Sequence, residues 1–275
     1  MHTPDYSTVS RLCVDSRFLP DKLKMTEPAD ASAEVPDMTP PAAISRGFDP
    51  QDKTVFSPEA LERLRHAQQD LQFLLDRGYP MTSAAAFVGS HHQLTIRQRS
   101  ALQRATDRSD LYLRRAHTQR SPERLRDGPV LIDGFNLIIA LETALSGNLV
   151  VRGADGALRD LAGLRGTYRV IAQTERAIRL IGDYLAQHAV PSVRFFLDAP
   201  VSNSGRLRQL IEQLARSWRF PVQVDLVPDA DRMLMGQDRI VSSDSVLLDL
   251  CQGWFNLAAW IVAERLPEAW VISLP

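Results

Sequence analysis

Cysteine is nearly absent. Cys13 and Cys251 are the two in 275 residues, and neither is followed by a second Cys or a His at metal-ligand spacing. Zinc knuckles, iron–sulfur clusters and disulfide frameworks therefore lack their ligands, and a reducing, cytoplasmic setting fits. Long apolar runs are missing too. The most apolar window, Leu257 to Ala263, is about a third of the ~20 residues that span a bilayer, and the first 25 residues hold no continuous apolar core of a secretory signal. A chain without a membrane partner is expected. Lysine occurs only at Lys22, Lys24 and Lys53, so 29 of the 32 basic residues are arginine, balanced by 33 acids to a formal net charge of −1. That total gives no whole-molecule argument for an anionic or cationic partner.

What is present divides the chain. Residues 1–56 read as a disordered tail and linker, because 26–50 carry five prolines among Ala, Asp and Glu with no apolar periodicity. Ser57-Pro58-Glu59 then gives an N-cap, a proline at the first helical position and a first-turn acid. Leu61, Leu64, Leu71, Leu74 and Leu75 follow at helical steps up to Gly78-Tyr79-Pro80. Thr82 or Ser83 can cap a second helix through Ala84–Val88, and Thr95 a third, from Ile96 to about Arg115. Residues 57–126 thus form a small all-helical, arginine-rich module.

From 127 to 275 short β-prone runs alternate with helix-length amphipathic stretches, which predicts an α/β fold with a mostly parallel sheet sandwiched by helices. The runs are 130–132, 193–197, 222–226, 239–241 and 270–272, with helices at about 137–145, 173–188, 204–217 and 255–266. Between them, LVVRGADGALRDL predicts a hairpin turning at Asp155-Gly156.

Ligands of an open parallel sheet bind at the carboxyl ends of its strands. Asp133, Asp198 and Asp244 follow three of the predicted strands, and Asp231 lies in the loop leading into the last. One reading makes each a helix cap; the other makes them converge. Two unpaired carboxylates ~4 Å apart repel by about 4 kcal/mol at an effective dielectric of 20, and the domain has no lysine to neutralise them. A divalent cation would, and an all-oxygen donor set favours Mg²⁺ or Mn²⁺ over zinc, pointing to phosphodiester hydrolysis by a metal-activated water. On that reading the carboxylates should gather within a few ångströms of one metal position. Ser202 and Ser204, at a helix start, are candidate phosphate contacts or ordinary capping residues. Asn136 is a candidate for orienting an acid, water or substrate, or a turn residue, and Ser242, in the last strand-end string, joins the substrate-binding set.

Other chemistries lack their strings. The dinucleotide fingerprint, the P-loop and the G-x-S-x-G elbow do not occur, and Phe135 stands where a haloacid-dehalogenase-type phosphatase needs a second Asp.

With these residues in hand, the strings VLIDGFNLI (130–138) and RIVSSDSVLLD (239–249) resemble the PIN-like nuclease superfamily, including its NYN branch. The resemblance implies Asp133 and Asp244 as the first and last metal ligands, with Asp198 and Asp231 between them. More closely, DLQFLLDRGYP (70–80), FVGSHHQLTIRQRSALQR (87–104), DGALRDLAGLRGTYR (155–169) and LDAPVSNSGRL (197–207) resemble a two-part family, domain of unknown function four-three-four followed by a PIN-like partner domain. Such nucleases often carry a further helical acid. Here Glu142 and Glu175 are ambiguous in that role, and Asp249 is at most a supporting residue.

Between His91 and Arg126 nine arginines face Asp107, Asp110 and Glu123, a local excess of six positive charges. Arg97, Arg104, Arg108 and Arg115 fall on one face of a continuous helix, the footprint of phosphate-backbone binding, or else a solvated face in an arginine-rich protein. The leading expectation is a Mg²⁺- or Mn²⁺-dependent nuclease acting on nucleic acid, RNA favoured. A catalytically silent binding module on the same fold is the alternative, and a small-phosphoester hydrolase would leave the arginines without a role.

Overall fold

The computed structural model describes residues 45–163 and 166–274. The expected disordered tail lies outside these residues as far as 44, as does Cys13. Its last stretch does not behave as a linker: Arg46, Asp52 and Phe56 are buried, and Asp52–Val55 forms α1. The described residues belong to one compact unit.

Helix α2 (Pro58–Asp76) starts as its sequence dictates, with Ser57 Oγ accepting from the Ala60 amide at 3.3 Å and proline at the first helical position. It buries Leu64, Leu71 and Leu75 along one stripe. Helix α3 (Met81–His91) begins at Pro80, ahead of the expected caps. Thr95 and Gln98 close a capping box on α4 (Ile96–Ala105). There the expected long helix stops. Thr106 turns to extended backbone, and a separate α5 runs over Ser109–Thr118. The chain reverses because Asp76 takes the Ser109 amide and hydroxyl, both at 2.7 Å.

After a 3-10 turn (Pro122–Asp127) come β1 (Val130–Asp133), α6 (Gly134–Leu145) and a hairpin of β2 (Val150–Arg152) and β3 (Leu158–Asp160). The hairpin turns where predicted, with Gly156 at φ +77°. Then follow α7 (Ala172–Gln187), β4 (Val193–Asp198), α8 (Ser204–Ala215), β5 (Val222–Val227), α9 (Ala230–Leu234), β6 (Ile240–Val241), α10 (Ser245–Leu250), α11 (Leu257–Arg265) and β7 (Val271–Ser273).

The main sheet has the order β5-β4-β1-β6, every pair parallel. Its strands alternate between two apolar layers. Val130, Ile132, Phe195, Leu197 and Val241 face the core under α6, α7, α8 and α11, while Leu131, Phe196 and Ile240 face the smaller one under α9 and α10. This is the predicted α/β sandwich. The predicted strand at 270–272 does not join it. As β7 it pairs parallel to β2, giving a second sheet, β3-β2-β7.

That second sheet ties the helical part to the rest. Leu149, Val151, Leu161, Ile272 and Leu274 share a core with Leu64, Leu71, Leu75, Val88 and Leu102. A module bounded at 57–126 is therefore not a separate core. No described helix is long and apolar enough to cross a membrane.

Candidate functional site

The main sheet reverses its strand order at β1, which lies between β4 and β6, the second and the last strands that the chain adds to this sheet. A crevice at the carboxyl end of such a switch point is the standard ligand position of open α/β sheets. Asp133 ends β1 opposite Phe196, and Asp198 ends β4 two residues further on. Ile132 pairs with Val241, so Ser242 falls beside Asp133, with Asp244 just beyond. Asp231 sits in the first turn of α9, directly after β5. All four aspartates occupy one edge, each delivered by a different segment.

Both readings of these acids hold at once. Asp133 caps α6, its Oδ1 accepting from the Asn136 amide at 3.4 Å. Asp244 caps α10, accepting from the Val246 and Leu247 amides at 2.8 and 3.1 Å. Asp198 caps no helix of its own; it accepts from the Ala230 amide at 2.8 Å and so pins α9 beside it. Asp231 makes no side-chain hydrogen bond among the described residues and is exposed.

Ser242 knits the edge, donating to Asp133 Oδ2 at 2.9 Å and accepting from the Asp244 amide at 3.1 Å. Asn136 Oδ1 accepts from both the amide and the hydroxyl of Ser243, at 2.9 and 2.8 Å. It thus locks the start of α6 to the loop after β6. Gly134 lets the start of α6 lie close against β4, since a Cβ there would lie 2.5 Å from Leu197 Cδ2 and 3.2 Å from the Phe196 carbonyl.

The electrostatics are those of acids without cations. Burial pushes the Asp133 carboxyl from 3.8 up to about 7, opposed by the Ser242 hydrogen bond and reinforced by the charges of Asp231 and Asp198. Asp231 is raised to about 6 by burial and by Asp244, Asp198 and Asp229. Among the described residues, no basic side chain is a leading cause of either shift. The donors are all oxygen, which suits Mg²⁺ or Mn²⁺. Convergence to ligand spacing, however, is not reached as the side chains stand. Among the described residues, offered atoms all within 4.8 Å of one another occur in Asp70, His91 and His92 of the helical part, not in the four aspartates.

Other expected contacts are used inside the fold. Ser202 Oγ accepts from the Tyr168 amide at 3.0 Å and donates to the Tyr168 carbonyl at 3.3 Å, while buried Ser204 donates to the Ala199 carbonyl at 3.2 Å. Neither hydroxyl is offered to a phosphate. Glu142 is fully buried against Arg46 at 2.7 Å and the Tyr168 hydroxyl at 2.6 Å, and Glu175 pairs with Arg179 on the surface. Neither reaches the strand edge.

The arginine stripe does not exist as one face, because α4 and α5 are separate helices. Arg97 binds Asp52 through two nitrogens, both at 2.8 Å, and donates to the Gly47 and Leu161 carbonyls. Arg115 is 1% exposed and holds Asp107, Asp155 and Asp249 at 2.6–2.9 Å. Arg108 is exposed but paired with Asp110, and Arg104 is exposed with no ion pair among the described residues. Asp249 is thereby a partner of Arg115, and Asp155, at the hairpin turn, is a buried charge.

Arg159 reaches beyond the hairpin that carries it. It clasps Asp155 and donates through Nε to the Ser243 carbonyl at 2.8 Å. A polar chain therefore runs from Arg115 through Asp155, Arg159, Ser243 and Asn136 to Asp133. The only sequence signal was the close spacing of Asp155 and Arg159.

Among known proteins, the family model described as "Domain of unknown function (DUF5616)" matches residues 122–260, and "Protein of unknown function (DUF434)" matches 63–116. An uncharacterized protein of the archaeon Methanocaldococcus jannaschii is 31% identical over 188 residues, covering 67% of this chain and 88% of that one. No solved structure matches. The chain belongs to the DUF5616 family, with the DUF434 segment ahead of it.

Proposed function

We propose that the chain is a Mg²⁺- or Mn²⁺-dependent phosphodiester hydrolase acting on RNA, with a PIN-like arrangement of Asp133, Asp198, Asp231 and Asp244 as the metal-holding set. One observation carries the reading: the four acids end separate segments at one strand edge, and two of them are raised to about 7 and about 6 by burial and by neighbouring acids, with no basic group of the described residues among the leading causes. Such a pocket stores repulsion that a hard divalent ion relieves. The ion, when bound, supplies a site for a phosphate oxygen and an activated water.

The chain's own residues set the geometry. Ser242 and the Asn136 amide fix the Asp133 carboxylate. Asp198 holds the start of α9, and with it Asp231, against β4. Asp231 is exposed as a residue and makes no side-chain hydrogen bond among the described residues, so it is the acid able to swing toward a cation. Substrate would be held by exposed arginines without internal partners: Arg104, Arg114 and Arg126 are exposed, with no ion pair among the described residues.

The test is cleavage of labelled single- and double-stranded RNA and DNA, with Mg²⁺, Mn²⁺ or chelator, by the full chain and by an Asp133→Asn, Asp244→Asn double variant. Metal-dependent cleavage of RNA that the variant lacks supports the proposal. Cleavage unchanged in the variant refutes the site. A second reading, a catalytically silent binding module, is favoured by the capping roles of Asp133 and Asp244. Salt-sensitive RNA binding without cleavage would establish it instead.

A further inference from the structure

A polar triad on α2 and α3 takes no part in the strand-end site. Asp70, His91 and His92 each offer a ligand atom, and these atoms lie within 4.8 Å of one another. His92 Nε2 is 2.7 Å from Asp70 Oδ2. The His91 and His92 rings are 4.9 Å apart at 87°. Consecutive helical residues point about 100° apart, so two neighbouring imidazoles meet one carboxylate only if the helix ends between them. It does: α3 finishes at His91, His92 is its C-cap, and Gln93 turns left-handed at φ +52°. The Leu94 amide then closes on the Gly89 carbonyl at 2.8 Å, and Leu94 is buried, which anchors the turn. The carboxyl end of a helix also carries partial negative charge, which favours a cation there.

Asp70 and His91 stand at the rim of a groove of about 260 Å³ whose other walls are Phe73, Leu74, Phe87 and Val88. Phe73 and Phe87 are 53% and 67% exposed, so the groove opens to solvent. Two imidazoles with one carboxylate form a donor set that suits borderline transition metals and disfavours Mg²⁺. Bonds of about 2.0–2.1 Å to a tetrahedral ion place ligand atoms about 3.3 Å apart. The triad reaches that by side-chain shifts of roughly an ångström.

We propose that Asp70, His91 and His92 bind a divalent transition metal, zinc foremost, with the fourth coordination position left to water or an incoming donor at the edge of the Phe73–Phe87 groove. The site is independent of the strand-end aspartates and of the hydrolase reading.

The experiment uses the untagged full chain, stripped with chelator and dialysed against Zn²⁺, with metal counted by mass spectrometry and Co²⁺ absorption as the geometric probe. One zinc per chain is expected, unchanged by excess Mg²⁺ and retained in Asp133→Asn. His91→Ala and His92→Ala should each weaken it by at least the roughly 10–100-fold that loss of an outer partner costs a metal site, and Asp70→Asn should weaken it too. Asp70 and His91 are exposed and His92 is half-buried, and circular dichroism checks that each variant folds. Absence of stoichiometric zinc, or zinc held equally by the wild type and both histidine variants, overturns the proposal.

Discussion

Replacing Asp133 with asparagine removes a buried charge at the centre of the strand edge while keeping the side chain's shape. Asp133 is 5% exposed, and its carboxyl is raised from 3.8 to about 7 by burial first and by neighbouring acids after it. An acid raised in this way binds its proton more tightly in the folded chain than in the unfolded one. Its contribution to stability is therefore neutral below the unfolded value and becomes unfavourable as pH climbs from 3.8 to about 7. Linkage gives a cost of about 2 kcal/mol at pH 5 and about 4 kcal/mol at pH 8. Asparagine has no such cost at either pH. Its carbonyl oxygen can still accept from Ser242 or from the Asn136 amide, so one hydrogen bond of roughly 1 kcal/mol is at stake in the exchange. Urea unfolding of wild type and Asp133→Asn should show the variant gaining on wild type by about 2–3 kcal/mol between pH 5 and pH 8. Mg²⁺ or Mn²⁺ should narrow the gap at pH 8 by stabilising the wild type alone. A stability difference that is flat with pH would refute the electrostatic account of the edge, and equal stabilisation of both proteins by metal would refute binding there.

Three further outcomes are expected. Arg115→Ala leaves Asp155, 1% exposed, and the partly buried Asp107 and Asp249 without a shared cation, so denaturant titration should show a loss of about 3–5 kcal/mol. Gly134→Ala drives a Cβ to 2.5 Å from Leu197 Cδ2; thermal unfolding should register a loss of about 1–3 kcal/mol, and any metal-dependent cleavage should fall with it. If RNA binds, an Arg104→Ala, Arg114→Ala, Arg126→Ala triple variant should make the slope of log affinity against log salt shallower by about 2, the value for three contacts to single strands, whereas Arg97 and Arg115, already engaged with acids, should not contribute to it.

Much of the fold was legible because its signals are local. Short apolar runs bounded by turn residues located all five predicted strands to within about a residue, and Asp155-Gly156 fixed the hairpin because only a residue tolerant of positive φ completes that turn. The strand-end aspartates were visible for the same reason. What the sequence did not carry was partnership at a distance. Arg97 meets Asp52 from 45 residues away and Arg115 meets Asp249 from 134, so counting charges in a window made an exposed stripe out of two internal clasps. The assignment of β7 to a second sheet was hidden likewise, since its apolar run suits either sheet until β2 offers an edge. At the site, residue type and strand position were readable, but carboxylate spacing depends on how α9 and the loop after β6 fold over, which no periodicity encodes.

The clasp at Arg115 also bears on inheritance. One matched family segment ends at residue 116 and the next begins at 122, as though two genes had been joined. Yet the last turn of the first segment supplies the cation for Asp155 and Asp249 in the second, and the Trp254 indole donates to the Arg115 carbonyl at 2.8 Å. A lineage that lost the helical half would leave Asp155 with Arg159 alone and Asp249 without its arginine. The two segments should therefore persist or disappear together across genomes, and a chain split between them should regain solubility only when both pieces are made in one cell.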